Sequence, residues 1–380
     1  MIKNSIGICL LVLLNTAGLV AQTFEKNYER KKLALNFENV QSQGTQLSYE
    51  NRLYRNPLTG MLEMKKVAGD TAALNLVPLF QGFPVGGYTM GKSIAYAAPS
   101  KAEQKAIFNS RNFPLHLKNY KLDIWIQPYF AAMFGNFNRP VESNTSVALQ
   151  TQLFLWPGFS FSTGIFFPII NQMDGRPRNV RPAPTYVNQF FNRGKHFVSA
   201  SAGFFNSDQY GLNVQYRHTD LSKPFSFGLE AGLTGFYYYP RGGIYYENPD
   251  NLLLLADVAY RFKTSDFTVK LSGGQFLWAV KGARLDLIRQ FNNVEIGFYA
   301  TATENGSTLG FNFAVPIPPG KILQGKNIRL RTTDEFRWEY TYTRGYKIGE
   351  RYRVGYQLDQ KLRQYHADYL SRQMERAGIK

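Results

Sequence analysis

Ala283-Arg284-Leu285-Asp286-Leu287-Ile288-Arg289-Gln290, followed after Phe291-Asn292-Asn293 by Val294-Glu295-Ile296-Gly297-Phe298-Tyr299-Ala300-Thr301-Ala302, is the stretch that decides how the rest of the chain is read. Apolar and polar residues alternate on both sides of the asparagines, the period of two that marks strands. Asparagine tolerates the positive φ of a two-residue hairpin turn, so Asn292-Asn293 predicts a hairpin. Pairing outward from it sets Leu285 beside Ala300 and Leu287 beside Phe298, while Arg284 meets Thr301 and Asp286 meets Tyr299. One face of the pair is apolar and the other polar.

The same alternation recurs from about Leu122 to Tyr342, in runs such as Phe159–Ile169, Phe227–Leu233, Leu254–Phe262, Phe267–Leu271 and Leu309–Val315. Together with 122–134, 146–156, 197–206, 210–218 and 334–343 they predict about twelve strands, an even number, in a mainly β barrel over 119–344. Alternation does not say which face is buried, and a soluble sandwich or small barrel would turn its apolar face inward. The polar faces here carry glycine and opposed charges. We therefore read Asp257, Arg261, Lys270, Arg284, Asp286 and Glu295 as lumen-facing, with aromatic clusters such as Phe236-Tyr237-Tyr238-Tyr239 at the rims of a membrane barrel.

Residues 1–22 have the pattern of a secretory signal peptide: Lys3, an apolar stretch from Ile6 to Val20, then Ala21-Gln22. Cys9 lies inside that stretch, so the mature chain is expected to be free of cysteine. Residues 23–118 read as a small α/β domain. Its expected elements are a helical start over 24–35, strands at Phe37–Gln41 and Thr45–Tyr54, a helix over Pro57–Val67, and strands at Leu74–Phe83 and Tyr88–Ala97. Residues 345–380 form a basic tail, with nine Lys/Arg against four Asp/Glu from Arg344 onward. There Leu358, Leu362, Tyr365 and Tyr369 share one helical face, fit for packing on the barrel mouth or the small domain.

The chain has 15% aromatic residues, 33 glycines and a formal charge of +17. Export argues against nucleic acid as the partner of that charge; lipid headgroups, lipopolysaccharide phosphates or a polysaccharide suit it better. Gly86-Gly87-Tyr88-Thr89-Met90-Gly91-Lys92-Ser93 satisfies the phosphate-loop pattern, but strand-like residues follow the serine where a helix is needed. The four histidines, His116, His196, His218 and His366, lack metal-ligand spacing, so neither metal nor cofactor is expected. His196 with Ser199, and His218 with Asp220, are the pairs a barrel enzyme would use.

Leu35-Asn36-Phe37-Glu38-Asn39-Val40, Tyr49-Glu50-Asn51-Arg52-Leu53-Tyr54-Arg55-Asn56, and the run Leu271–Phe291 continued by Ile296–Thr303 are similar to segments of the YjbH family of outer-membrane proteins. The chain is shorter than typical members. The resemblance implies an outer-membrane β-barrel, not an enzyme, that takes part in exopolysaccharide or capsule export or assembly. It further implies a small domain and tail in the periplasm and a periplasmic or lipoprotein partner. A general outer-membrane pore, or a barrel enzyme acting on lipid or glycan, are the alternatives.

Overall fold

The computed structural model describes residues 35–69, 74–109, 122–135, 140–174, 176–317, 322–342 and 347–378. The expected signal peptide, and the helical start at 24–35 except for Leu35, lie outside them.

The first sheet grows from local signals. β1 (Phe37–Gln43) and β2 (Gln46–Asn51) form a hairpin about Gly44, whose φ of 58° suits a residue without Cβ. Helix α1 (Pro57–Ala68) starts where Asn56 accepts a hydrogen bond from Leu58 N and ends at Gly69 in the left-handed region. β3 (Asn75–Phe80) then pairs with β2 in parallel. β4 (Phe83–Pro84), β5 (Gly87–Met90) and β6 (Ile94–Ala97) complete a sheet of order β1-β2-β3-β5-β6, with β4 on β3, and α2 (Lys101–Asn109) follows.

The second sheet holds β7 (Leu122–Phe134), β8 (Val141–Trp156), β9 (Phe159–Asn171), β10 (Arg181–Pro182), β11 (Thr185–Arg193) and β12 (His196–Phe204). It continues through β13 (Gln209–Thr219), β14 (Phe225–Tyr238), β15 (Tyr245–Tyr246), β16 (Asn251–Phe262), β17 (Phe267–Gln275) and β18 (Lys281–Gln290). β19 (Glu295–Thr303), β20 (Gly306–Pro316), β21 (Leu323–Gln324), β22 (Ile328–Thr332) and β23 (Glu335–Thr341) end it. The strand order returns on itself as a barrel. Leaving aside the two-residue β10, β15 and β21, and taking β22 with β23 as one strand interrupted at Thr333-Asp334, the described residues supply thirteen staves. Their neighbours are antiparallel except at the seam, where β22 lies parallel to β7. An odd number of up-and-down strands brings the first and last into the same direction, so a parallel seam is the geometric consequence.

The expectation of about twelve strands, evenly numbered, is thereby corrected. The stave absent from that expectation is β11, Thr185-Tyr-Val-Asn-Gln-Phe-Phe-Asn-Arg193. Its inward Tyr186 and Phe190 are buried against other parts of the chain, so both its faces carry apolar residues and the alternation is lost.

Along the other staves most apolar residues face out and the polar ones in, with inward exceptions such as Phe197, Leu253 and Leu255 buried against the small sheet and the tail. Leu229 is 53% exposed where its neighbour Glu230 is 8% exposed, and Phe298 is 62% exposed where Tyr299 is 4% exposed. The β18–β19 register is the one read from the sequence: Leu285 opposite Ala300, Leu287 opposite Phe298, Arg284 opposite Thr301, Asp286 opposite Tyr299. Its turn differs, because neither Asn292 nor Asn293 takes a positive φ. Their carbonyls are instead engaged from outside the hairpin: Tyr369 Oη donates to Asn292 O (2.9 Å) and Arg55 Nη1 to Asn293 O (2.8 Å). At Gly274, φ is 142° and a Cβ would stand 2.1 Å from Leu254 O, so only glycine lets β16 and β17 approach there.

Beyond β23 the chain turns into the barrel. At one rim Leu277 N donates to Glu350 O and Asn206 N to Arg353 O. Further along, Tyr356 Oη donates to Asn188 Oδ1 on β11, and Leu358 N to Gln215 Oε1 on β13. The helices α3 (Leu358–Arg363) and α4 (Ala367–Arg376) then emerge at the opposite rim. There Leu358, Leu362, Tyr365 and Tyr369 are all buried with Tyr49, Met61, Met64 and Tyr88 of the first sheet and Phe190 and Phe197 of the barrel. The single helical face read from the sequence is two helices, broken at residues 364–366. Bonds from Gly158 N to Gln81 O and from Asn192 Nδ2 to Pro84 O fasten the small sheet to the short-turn rim.

Candidate functional site: a lumen threaded by its own C-terminal segment

The six charged residues singled out in the sequence all project to the inner face, and each is held by an opposite charge. Arg217 grips Asp257 with bonds of 2.6 and 2.7 Å. Arg261 pairs with Asp266 at the turn between β16 and β17 (2.7 Å). Arg284 binds Asp286 (2.7 Å) and Glu339 (3.0 Å) and lies 3.6 Å over the Tyr299 ring. No bond joins that pair to Glu295. Glu295 instead accepts from Arg337 (2.8 Å) and from Arg363 of α3 (3.1 Å), and Lys270 reaches Asp359 of α3 (2.9 Å).

These last two bonds belong to a series that ties the threaded segment to the wall. Arg351 pairs with Glu230 on β14 and Arg353 with Glu339 on β23, both at 2.7 Å, and Arg372 pairs with Asp266. Tyr352 Oη accepts from Asn213 Nδ2 (2.9 Å), its ring stacked on Phe205 at 5.5 Å with planes 5° apart. Where the segment enters, Trp278 and Ala279 both adopt positive φ, 63° and 57°, strain that residues with side chains carry only when the surroundings hold them. Trp278 Nε1 donates to Glu350 (2.6 Å) and Lys347 stands 3.1 Å over the indole. A basic tail in a lumen of mixed charge is thus paired rather than repelled.

Glu230, Glu339 and the tail arginines were not among the residues singled out. A signal was present: Arg351-Tyr-Arg-Val-Gly-Tyr356 alternates with period two, as an extended segment between unlike walls would. Glu230 also interrupts the run Phe227–Leu233. What the segment leaves open is a cavity of about 1010 Å³ bounded by Trp125, Tyr129, Gln150, Arg284 and Tyr299 on the wall and Arg353 and Gln360 on the plug.

At the helical rim, His366 is buried before α4 and its Nε2 bonds Lys223 O (3.1 Å). Burial, helped by Arg261 nearby, pushes its pKa down from the usual 6.5 to about 4. The folded state then binds fewer protons than the unfolded one between those values. Stability at this rim is complete above pH 6.5 and falls as pH drops toward 4, by up to about 3 kcal/mol. We expect His366→Gln to flatten the acid limb of a thermal-unfolding series between pH 7 and 4; an unchanged limb would place the sensitivity elsewhere.

The remaining motifs take structural roles. Gly86–Ser93 lies in the β5–β6 hairpin, with Gly91 N bonded to Ser93 O, and Ile94 begins a strand. No helix N-terminus meets a phosphate there. His196 and Ser199 point to opposite faces of β12: Ser199 Oγ bonds Tyr356 Oη inside, whereas exposed His196 bonds Tyr216 Oη and packs on His218 outside. Asp220 pairs with Lys195 rather than His218. Its pKa is lowered to about 2: burial opposes the ionised form, but the bonds from Lys195 and Ser222 outweigh it.

The stretch from β12 into β20 carries the six charged residues singled out in the sequence and the strained Trp278 turn. That stretch, residues 195–313, matches the YjbH family model, described as exopolysaccharide biosynthesis protein YbjH. The YjbH-matched segment includes Leu271–Phe291 and Ile296–Thr303; the similar segments of the small domain, at 35–40 and 49–56, fall outside it. Among solved structures the chain is similar to a mutant porin from Rh. blastica at 11% identity, over 57% of this chain and all of that one, with a TM-score of 0.29. No curated protein matches the chain.

Proposed function

We propose that this chain is a non-catalytic outer-membrane β-barrel of an exopolysaccharide or capsule export or assembly system, closed at rest by its own C-terminal segment. The observation that carries the membrane reading is the inside-out wall: an exposed apolar belt around a buried, ion-paired lumen. Soluble monomers rarely expose contiguous apolar patches beyond a few hundred Å², whereas large apolar side chains stand exposed on stave after stave here, and in lipid every backbone group of a spanning sheet must pair within it. Among the described residues no helix is long and apolar enough to cross a membrane; on this reading the crossing is made by strands. The polysaccharide class comes from the family match over 195–313. Short turns and the small sheet share one rim, which is the periplasmic rim in barrels of this kind. The small sheet then offers a periplasmic or lipoprotein partner its docking surface, and lipopolysaccharide surrounds the other rim. A general diffusion pore fits less well, because the lumen is occupied.

Deletion of the gene in its native host should lower surface polysaccharide and leave precursor behind. The full chain, fractionating with the outer membrane, should restore it, and a barrel lacking residues 23–118 should not. Unchanged polysaccharide in the deletion would end the export reading.

A further inference from the structure

Where α4 begins, the barrel wall and the plug enclose a small cavity of about 50 Å³. Its wall includes the inner-face residues Arg217 on β13, Arg261 on β16, and Thr268 and Lys270 on β17, while Asp359, Arg363 and His366 close it from the plug. Three buried polar atoms here have no hydrogen-bond partner among the described residues: Arg261 Nε, Thr268 Oγ1 and His366 Nδ1. Their residues are 4%, 5% and 5% exposed. Arg261 and Thr268 stand opposite each other in the β16–β17 ladder, and His366 is close enough to Arg261 to feel its charge. Buried polar groups without partners are rare enough in folded proteins that three around one space point to an occupant.

Charge decides what kind. Arg217, Lys270 and Arg363 at the cavity are answered by Asp257, Asp359 and Glu295. Arg261 and Arg372, however, share the single carboxylate of Asp266, and Asp368 is taken by Lys263 at 3.3 Å. Three cations there meet two carboxylates, and a buried charge needs a counterpart that water does not supply.

His366 adds a condition. Its Nε2 faces the carbonyl of Lys223, so that nitrogen carries the proton and Nδ1 donates only when the ring is charged. Besides the lining residues, the charged groups facing the ring are Lys263 of the β16–β17 turn and Asp368 of α4, whose carboxylate lies 3.8 Å from Nδ1, beyond hydrogen-bond reach.

We infer that this cavity binds a small monovalent anion of chloride size, held by Arg261 Nε, Thr268 Oγ1 and the charged ring of His366, and therefore taken up together with a proton. Bound there, the anion ties β16 and β17 of the wall to the start of α4 and strengthens the hold on the plug. A water needs about 10–15 Å³ of such space, so the cavity has room for chloride but none for a six-carbon anion such as gluconate.

The test follows the unfolding temperature of the full chain in detergent micelles, with chloride exchanged for gluconate at constant ionic strength. At pH 5 chloride should raise it by about 3 °C or more over gluconate, saturably, and at pH 7.5 by less than half as much. Thr268→Val, which keeps the shape and removes the hydroxyl, should raise the half-saturating chloride concentration at least tenfold. His366→Gln should abolish the difference between the two pH values, and Thr301→Val, an inner-face change outside the cavity, should leave the chloride response as it was. Equal unfolding temperatures in chloride and gluconate at pH 5 would assign these groups to water and overturn the site, as would a response that survives Thr268→Val unchanged. Should that variant fail to fold, chloride NMR on the unaltered chain decides: line broadening at pH 5 that bromide removes and gluconate does not supports the site. No broadening, or broadening that both remove equally, overturns it.

Discussion

A chain ending at Tyr342 is expected to conduct ions through planar bilayers at least tenfold better than the full chain. Barrels of about eight strands are filled by their own side chains, while those of sixteen or more keep a water channel. Thirteen staves fall between, too wide for the wall alone to close. Closure here is the work of residues 347–357, α3 and α4, fixed to the wall by Arg351–Glu230, Arg353–Glu339, Lys270–Asp359 and Arg363–Glu295. Their removal takes Arg351, Arg353 and Arg363 from Glu230, Glu339 and Glu295 but only Asp359 from Lys270, so the lumen becomes more negative and the opened channel should favour cations. The truncated barrel must first be shown to fold, by a heat-modifiable band in gel electrophoresis. A folded truncation that stays silent would mean that the wall closes the lumen without the tail.

Glu295→Ala is expected to cost about 3–5 kcal/mol of stability, the largest effect of any single side-chain truncation we expect in the lumen. Glu295 is 1% exposed and receives Arg337 from the neighbouring wall and Arg363 from the plug. Removing it leaves two guanidinium groups buried with one acid fewer, and losing one partner of a buried ion pair costs far more than the pair contributes in net terms. Arg337 keeps Glu335 (2.8 Å), and Arg363 has only the longer contact to Asp359 (3.8 Å). Adding Arg363→Ala to Glu295→Ala should therefore recover part of the loss, a coupling that a double-mutant cycle measures. The pair of half-exposed Lys195 with Asp220 is the contrast: Lys195→Ala should change stability by less than about 1 kcal/mol. Unfolding temperatures of the folded band would decide, and equal losses at Glu295 and Lys195 would refute the argument.

Both expectations depend on contacts that span long stretches of sequence, and this marks the limit of what the residues alone disclosed. The strand runs, the β18–β19 register and the alternation of polar with apolar faces were legible because they are local: a period of two is written in consecutive residues. Pro57–Val67 was legible as a helix for the same reason, its start and stop being set by Asn56 and Gly69.

What only the tertiary structure decided are the properties that alternation leaves symmetric or hides. Period two is the same whichever face is wet, so the outward turn of Leu229 and Phe298 needed the closed sheet. β11 escaped notice because small-sheet and plug contacts make its inner face apolar, and with it went the odd count and the parallel seam. The fate of the tail was decided furthest from sequence: Arg351 and Glu230 are 121 residues apart, and Arg372 and Asp266 are 106. The helical face of the tail could be read as a packing face, but the partners of its arginines could not, because the buried carboxylates that pair with them are supplied only when the chain folds back.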